Sequence, residues 1–336
     1  MKMNSVKSVT KFKGHKNIIN CIIECQNGHL ASGSLDKTIK LWAIDSKSCI
    51  GTFYGHSDQV LCLIELQNGY LASGSADKSI KIWNMKSKNC ILTFTGHTQY
   101  VTCLVESKNQ KLISSSTDKT IKIWDIASKT CTDTLVNGDE SVDMIKELKS
   151  GELISISFDE ELVKIWNMET QKCIAILKEH TDSVKCFIEL KNGDLVTGSK
   201  DMTIKLWDMN SKACKETLLG HICWISCLIE LCNGNLASAS FDHTVKVWDL
   251  VRNICLITLS GHMDWVNSIV DLGNNLLVSA SADNSIKIWN LDTNTCQLTL
   301  NEHESYVTGI ILVKKECKDS LFISYSGDFT IILFRL

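Results

Sequence analysis

The chain has 336 residues, of which 44% are hydrophobic and 22% charged, and its net charge is −3. Arg252 and Arg335 are the only arginines among 35 basic residues, which argues against nucleic acid as a partner because its binding relies on clustered Lys and Arg. No apolar run approaches the roughly 18 residues that span a membrane, and the N-terminus lacks the apolar core of a signal peptide. We expect an intracellular protein without membrane insertion, cytoplasmic in the first instance, with a nuclear location left open.

In chain order, one predicted unit recurs with a period of 41 or 42 residues. The phrase LASGSLDKTIKLW at residues 30–42 returns as LASGSADKSIKIW at residues 71–83. A Gly-His or Glu-His pair precedes most of the closing tryptophans by 27 residues, and Phe334 closes an eighth unit. The closing tryptophans are Trp42, Trp83, Trp124, Trp166, Trp207, Trp248 and Trp289.

Each unit is predicted to form four short strands. In the second unit, the segment 59–66 (QVLCLIEL) is rich in residues that favour strands. Asn68-Gly69 then signals a tight hairpin turn, because such a turn needs positive φ angles. The segments 70–75, 79–83 and 89–94 give the second, third and fourth strands. The chain has no proline, so no predicted strand lacks a backbone donor.

This combination of period, Gly-His opening and Trp closing resembles the WD-repeat (WD40) β-propeller family over essentially the whole chain. The resemblance departs in the closing dipeptide, which is Trp-Asp in only three units. It implies an all-β fold: a single eight-bladed β-propeller of four-stranded antiparallel blades, with residues 1–336 as one domain.

The chain ends predict how the last blade is completed. There are eight sets of the first three strands but only seven fourth strands that follow a closing residue. The segment 8–15 (SVTKFKGH) aligns with the fourth strands of later units. We therefore expect residues 1–13 to supply the outer strand of the eighth blade, which protects an otherwise unpaired edge.

The sixteen cysteines recur at fixed places in the units instead of forming a framework that could pair. Seven occupy a place in the fourth strand and five a place in the first strand. We expect free, buried or half-buried thiols, and neither a metal site nor a cofactor. The segment HICWISC (221–227) is the one stretch that suggests a metal site, but its His221 and Cys227 occupy places that are filled in other units too.

Most units carry a His, a Ser or Thr, and an Asp, which invites a catalytic interpretation. Six copies of one triad favour a structural role, and in the family that the chain resembles these residues form a hydrogen-bonded tetrad with the Trp. The predicted tetrads are His15, Ser32, Asp36 and Trp42; His56, Ser73, Asp77 and Trp83; His97, Ser114, Asp118 and Trp124; His180, Thr197, Asp201 and Trp207; His221, Ser238, Asp242 and Trp248; and His262, Ser279, Asp283 and Trp289.

Two units depart from this pattern. In unit four Gly138 takes the place of the His, and the turn has one extra residue, for which we expect a local bulge. In unit eight Phe334 replaces the Trp, so the Ser324 hydroxyl should have no indole to bond. We expect these two blades to be the least rigid.

The resemblance also implies that ligands meet one face of the propeller at three places per blade. We call these the first slot (three residues after the His), the second slot (five residues after it) and the third slot (immediately before the turn Asp). Trp224 and Trp265, the only tryptophans outside the closing position, both fall in first slots. Clustered aromatic residues are typical of binding hot spots, although these rings could instead pack the loops between blades. The predicted partner-binding face comprises Trp224, Phe241, Trp265, Tyr306, Ile18, Leu35, Tyr100, Phe158, Lys185 and Lys200.

These features favour a non-catalytic scaffold, monomeric by itself, that binds a peptide or protein segment on this face. The alternative is a substrate receptor or modification reader, for example a ubiquitin-binding protein of a ubiquitin-pathway assembly. Phosphate reading is disfavoured because none of the 24 slot positions (three in each of eight units) is Arg. An enzyme is disfavoured because no catalytic motif stands out from the repeat.

Overall fold

The computed structural model describes residues 8–313 and 321–336, and within these ranges it contains strands and turns but no helix. The chain divides into two compact units. The first unit spans Phe12–Ile176, and the second contains the residues from Leu177 onward together with the N-terminal strand up to Lys11.

Four sheets of four strands, blades one to four, belong to the first unit, and in each sheet the strands follow in chain order. Blade one contains β2 (Ile19–Glu24), β3 (His29–Ser34), β4 (Ile39–Ala43) and β5 (Ser48–Phe53); blade two contains β6 (Val60–Glu65), β7 (Leu71–Ser75), β8 (Ile80–Trp83) and β9 (Cys90–Phe94); blade three contains β10 (Val101–Glu106), β11 (Leu112–Ser116), β12 (Thr120–Asp125) and β13 (Thr130–Val136); blade four contains β14 (Met144–Glu147), β15 (Leu153–Ile156), β16 (Val163–Asn167) and β17 (Lys172–Leu177).

Blades five to eight belong to the second unit. Blade five contains β18 (Val184–Glu189), β19 (Leu195–Ser199), β20 (Ile204–Asp208) and β21 (Ala213–Leu218); blade six contains β22 (Ile225–Glu230), β23 (Leu236–Ser240), β24 (Thr244–Asp249) and β25 (Ile254–Ser260); blade seven contains β26 (Val266–Gly273), β27 (Leu276–Ser281), β28 (Ile286–Asn290) and β29 (Thr295–Leu300); blade eight contains β30 (Val307–Val313), β31 (Leu321–Ser326), β32 (Ile331–Arg335) and β1 (Ser8–Phe12).

The predicted fold class, an all-β propeller of eight four-stranded antiparallel blades, is confirmed by these sheets. The N-terminal strand β1 lies beside β32 in the order β1-β32-β31-β30, as the count of fourth strands predicts. Residues 1–7 of the predicted outer segment lie outside the described residues. The division of the chain into one domain stays a prediction.

The apolar core of each unit lies between neighbouring blades. Ile39 and Phe53 of blade one, for example, pack with Val60 and Leu63 of blade two. Equivalent clusters join the other neighbouring blades within each unit. The approach is close enough that a Cβ atom added at Gly33 would lie 2.7 Å from the Val60 side chain. Full burial of one such aliphatic side chain stabilises the fold by about 1.5–3 kcal/mol.

A β-bulge at the start of the first strand recurs in seven blades, where the register with the second strand shifts by one residue. The bulged residue occupies the second slot. In blades one, three and seven its side chain donates a hydrogen bond to a backbone carbonyl of the next blade: Asn20 to Val60 (2.9 Å), Thr102 to Val142 (2.6 Å) and Asn267 to Val307 (2.8 Å). Second-slot side chains therefore also connect blades.

Blade four lacks this bulge. The pairings β14–β15 and β15–β16 run in continuous register. The extra residue of unit four, for which we expected a bulge, lies instead in the turn between Ile156 and Val163.

Candidate partner-binding site

The predicted tetrad residues meet inside their blades. In blade one, the Trp42 indole lies 2.8 Å from Ser32 Oγ, Ser32 Oγ lies 2.8 Å from His15 Nε2, and His15 Nδ1 lies 2.8 Å from Asp36. Because the carboxylate and the indole N–H have fixed roles, Nδ1–H donates to Asp36 and the Ser32 hydroxyl donates to Nε2. Blades two, three, five, six and seven repeat this chain at 2.6–2.8 Å. The tetrad hydroxyls are fully buried and bonded on both sides, so they are not presented to a substrate.

Outside blade four, each turn carboxylate also has a partner that the sequence analysis missed. A Ser or Thr hydroxyl two residues after the Asp donates to its second oxygen, as Thr38 does to Asp36 at 2.6 Å. The recurrence of Ser or Thr at this place was the available signal. The residues are Thr38, Ser79, Thr120, Thr203, Thr244, Ser285 and Thr330.

The ionisation of the tetrads follows from burial and hydrogen bonding. Burial alone would raise the pKa of Asp242, but the hydrogen bonds from His221 and Thr244 outweigh it and hold that pKa well below its usual range. Burial lowers the pKa of His221, and the Asp242 carboxylate offsets this only in part. Burial likewise lowers the pKa values of His97 and His303. These imidazoles are therefore neutral at pH 7.

The two irregular units carry incomplete tetrads. In blade four the Trp166 indole donates to Ser155 Oγ at 2.8 Å, and Gly138 supplies no imidazole. In blade eight Ser324 Oγ lies 2.7 Å from His303. There Phe334 is buried and stacks on a second phenylalanine of blade eight, with ring centroids 4.8 Å apart.

The first and third slots of a blade are neighbours because one backbone hydrogen bond extends the strand pairing to them. The N–H of Phe241 donates to the carbonyl of Trp224 at 2.9 Å, and Ala282 donates to Trp265 at 2.8 Å. The same bond joins first and third slots elsewhere, as from Leu35 to Ile18.

On blades five to seven these slots build a continuous stack, which we call the aromatic column: Lys200, Trp224, Phe241 and Trp265. The Lys200 ammonium lies 4.5 Å from the Trp224 ring centroid. The Trp224 and Phe241 centroids are 5.5 Å apart, and Phe241 lies almost parallel to Trp265 at 4.5 Å. Trp224 keeps 39% of its surface exposed and Trp265 keeps 49%. The rings therefore stabilise one another and still present area to a partner.

A cavity of about 720 Å³ lies against this column, and its lining is mostly apolar. Trp265, Ala282 and Tyr306 line it, as do Lys185 and Asp264. We call it the blade-seven cavity.

Two further details of the blade-seven cavity were not predicted. The Tyr306 ring lies so close over Gly327 that a Cβ atom there would lie 2.6 Å from it. Thr308 also lines the cavity, and its hydroxyl oxygen is buried and has no hydrogen-bond partner.

The rest of the predicted face belongs to the first unit. Tyr100 is 45% exposed there, and Ile18, Leu35 and Phe158 are half-buried. Lys185 and Lys200 are also half-buried, in the second unit.

Blades six and seven carry two additional apolar residues that the sequence analysis did not select. Ile222 and Met263, each immediately after the tetrad histidine, are 81% and 82% exposed. The corresponding residue is polar in blades one, two, three, five and eight, and this contrast was the available signal. They extend the apolar character of the two loops that carry Trp224 and Trp265.

The cysteines differ from the expectation in one respect. The fifteen cysteines in the described part of the chain are free. Those of the first strand lie in the core, where burial raises the pKa of Cys21 to about 12. Those of the fourth strand are mostly exposed instead of buried or half-buried, because this outer strand turns that side to solvent. The exposed ones are Cys49, Cys90, Cys131, Cys173, Cys255 and Cys296.

Between residues 8 and 313 and from 321 to 336, no cluster of three or more His, Cys, Asp or Glu side chains is placed to hold a metal ion. In the same ranges there is also no helix with the length and apolar character that crossing a membrane requires.

Comparison with known proteins agrees with the repeat. The family model described as "WD domain, G-beta repeat" matches residues 6–43, 47–84, 88–125, 171–208, 212–249 and 253–290. The WD repeat-containing protein 18 of Danio rerio is 45% identical over 42 residues, and that of Homo sapiens is 48% identical over 42 residues. Each match covers 12% of this chain and only 10% of the relative.

A solved structure matches over nearly the full length. The crystal structure of the computationally designed Ika8 protein superposes with a TM-score of 0.83 and 28% sequence identity. The match covers 97% of this chain and 99% of that one.

Proposed function

Because this chain belongs to the WD40 repeat family, whose propellers typically serve as protein-interaction scaffolds, we propose that it binds a peptide or protein segment of a partner on the aromatic column and the blade-seven cavity. The observation that carries this proposal is the column itself. Two tryptophans outside the tetrads lie on adjacent blades, stack through Phe241 and remain partly exposed. Partly exposed, preordered aromatic side chains are the usual anchors of protein interfaces.

The proposed mechanism is recognition without chemistry. The rings are held in place by neighbours before a partner arrives, so binding does not have to order them. Their burial supplies the affinity. The Lys200 charge at one end of the column favours acidic residues on the corresponding side of the partner, and high salt should weaken this contribution.

Substituting the two tryptophans together tests the proposal. Full-length wild type and Trp224→Ala/Trp265→Ala are used for affinity purification, and each captured protein is then purified and titrated against both. We expect specific partners to lose affinity by about 30-fold or more, which corresponds to a hot spot of about 2 kcal/mol. Tyr54→Ala is the matched control, because Tyr54 is an aromatic residue with 75% exposure outside the cavity lining.

Circular dichroism and thermal unfolding of all three proteins ensure that a loss of binding is not a loss of fold. If the double variant keeps every partner at wild-type affinity, this surface is not the binding surface. Free ubiquitin is titrated in the same way. Its binding to wild type and loss in the double variant would favour the ubiquitin-reading alternative.

A further inference from the structure

The aromatic column follows a rule that stops at blade seven. The third-slot residue of one blade packs on the first-slot residue of the next: Lys200 on Trp224, and Phe241 on Trp265. The next pair would be the third slot of blade seven and Tyr306. That third slot holds Ala282, which has no ring. Trp265, Ala282 and Tyr306 all line the blade-seven cavity, so the cavity lies where the column lacks one ring.

We propose that this gap receives one aromatic side chain of the partner, which completes the column between Trp265 and Tyr306. This inference rests on the proposed function and specifies its ligand: a peptide with a Tyr, Trp or Phe anchor and acidic residues on the side that faces Lys200. A flat ring suits the site because Trp265, Ala282 and Tyr306 all line it. Offset stacking of aromatic pairs adds about 0.5–1.5 kcal/mol beyond area burial.

The polar groups of the cavity favour an aromatic anchor with a hydrogen-bonding tip. Thr308 Oγ1 is buried without a partner, and an orphaned buried hydroxyl is unfavourable until it is bonded. If the Thr308 side chain rotates towards the cavity, the hydroxyl of Tyr or the N–H of Trp can bond its oxygen, whereas Phe offers no such group. We therefore expect peptides with Tyr or Trp anchors to bind more tightly than peptides with Phe.

A cationic anchor fits less well. An arginine in the gap would need a carboxylate partner, because burying a charge without one is costly. The carboxylate of the lining is Asp264, whose Oδ1 already accepts the backbone N–H of Trp265 at 2.8 Å. Lys185 also lines the cavity and adds a positive charge. The lining thus contains one carboxylate and one ammonium group, which together carry no net charge, and this favours a neutral ring in the gap.

Ala282→Phe tests the inference, because it fills the gap with the protein's own ring. Blade six already carries Phe241 in the same slot with the same backbone hydrogen bond, so the backbone accepts a Phe there. Ala282→Ser is the matched control, which changes the residue but leaves the gap open. Trp265→Ala removes one wall and tests the proposed function independently.

The probe is a random peptide library selected on full-length wild-type protein, followed by fluorescence titration of the enriched peptides against each variant. We expect enrichment of a single Tyr or Trp flanked by Asp or Glu. We expect Ala282→Phe to lower the affinity for these peptides by about tenfold or more, and Ala282→Ser to lower it by less than about threefold. Thr308→Val should lower the affinity for peptides with a Tyr or Trp anchor but not for the same peptides with Phe. This variant keeps the inference testable if Ala282→Phe folds poorly.

The outcomes separate the two proposals. If Trp265→Ala abolishes binding but Ala282→Phe and Thr308→Val do not affect it, the gap is not the anchor site and the proposed function stands. If selection enriches arginine or aliphatic anchors, the aromatic assignment is wrong. If Trp265→Ala, Ala282→Phe and Thr308→Val all bind like wild type, or no peptide prefers wild type over Trp265→Ala, both proposals fail.

Discussion

Blade four and blade six are built from the same four-stranded unit, but only blade six keeps an imidazole between its turn and its second strand. In blade six, His221 joins Ser238 to Asp242, the slot residue Trp224 is exposed, and Phe241 is half-buried between two tryptophans. An intact tetrad thus accompanies a slot residue that is exposed to solvent.

Blade four has no imidazole, and its slot residues bond one another instead. Asp143 accepts hydrogen bonds from the Ser141 hydroxyl at 3.0 Å and from the backbone N–H of Phe158 at 2.7 Å. The polar groups of the loop are thereby satisfied within the loop itself. The comparison teaches that slot residues of blade four hold their loop at a place where blade six has an imidazole.

Acid should have the largest effect on this difference in stability, because it protonates the buried histidines that blade four lacks. Burial holds the pKa values of His97, His221 and His303 below 6.5 in the folded chain. The unfolded chain therefore binds more protons as the pH falls below 6.5, and the free energy of unfolding falls with it. Each imidazole contributes a slope of at most about 1.4 kcal/mol per pH unit. Guanidinium unfolding at a series of pH values from 8 to about 5 measures the summed contribution of the imidazoles to the free energy of unfolding.

The carboxylates add a second loss at lower pH. The pKa of Asp242 lies below the usual aspartate value of 3.8 in the folded chain, so its stabilisation is complete above that value and is lost as the pH falls through the range below it. A free energy of unfolding that stays constant or rises from pH 7 to pH 5 would contradict the assignment of neutral buried histidines.

Removing one imidazole should make blade six resemble blade four. His221→Ala leaves Ser238 and Asp242 short of a buried partner, and we expect it to lower the free energy of unfolding by about 1–3 kcal/mol. Urea unfolding measures this change. His29→Ala is the matched control, since His29 lies at the start of β3 outside the tetrads, and it should cost less than about 0.5 kcal/mol. A His221→Ala protein as stable as the control would show that the tetrad does not support the blade.

The sequence predicts the tetrads far better than it predicts the column. His221, Ser238 and Trp248 recur at constant spacing, so each copy supports the others, and the predicted pairs lie within 2.6–2.8 Å. The matched family segments omit most of units four and eight, where the pattern departs. The order of the column depends instead on which slot of one blade faces which slot of the next. The sequence of a single repeat does not show these contacts between neighbouring blades.

Exposure was also hard to predict within a repeated position. Cys90 occupies a constant place in the unit, but its strand, β9, is the outer strand of its blade, and only Phe94 at its end is fully buried. Period and residue type do not distinguish the two sides of an outer strand. Whether a side chain is exposed depends on which face of the strand it occupies, and on whether the neighbouring blade covers that face.

The second slot offers a smaller test of the same comparison. In blade six the Ser226 hydroxyl donates to the Val266 carbonyl of blade seven, whereas Asp143 of blade four bonds within its own loop. Ser226→Ala should lower the free energy of unfolding by about 0.5–1.5 kcal/mol. Ser211→Ala, at an exposed serine between β20 and β21 of blade five, is the control and should have no measurable effect in urea unfolding. Equal values for the two variants would mean that the bond between blades six and seven adds no stability.

The smallest effect should appear in the kinetics of local opening, without any substitution. Cys103 lies beside blade four, with its Sγ 3.7 Å from the Ile145 carbonyl, and Cys227 packs in the cluster between blades six and seven. Burial raises the pKa of both thiols, so each reacts only when its surroundings open.

Blade four has the shorter strands, with four residues each in β14 and β15 against six and five in β22 and β23. If it opens at a cost lower by about 1 kcal/mol, Cys103 should react with iodoacetamide about fivefold faster than Cys227 in the native protein. Peptide mass spectrometry follows both sites in one sample. Exposed Cys131 and Cys255 give the unprotected rate, and denatured protein corrects for intrinsic reactivity. Faster labelling of Cys227 would reverse the proposed order of rigidity between the two blades.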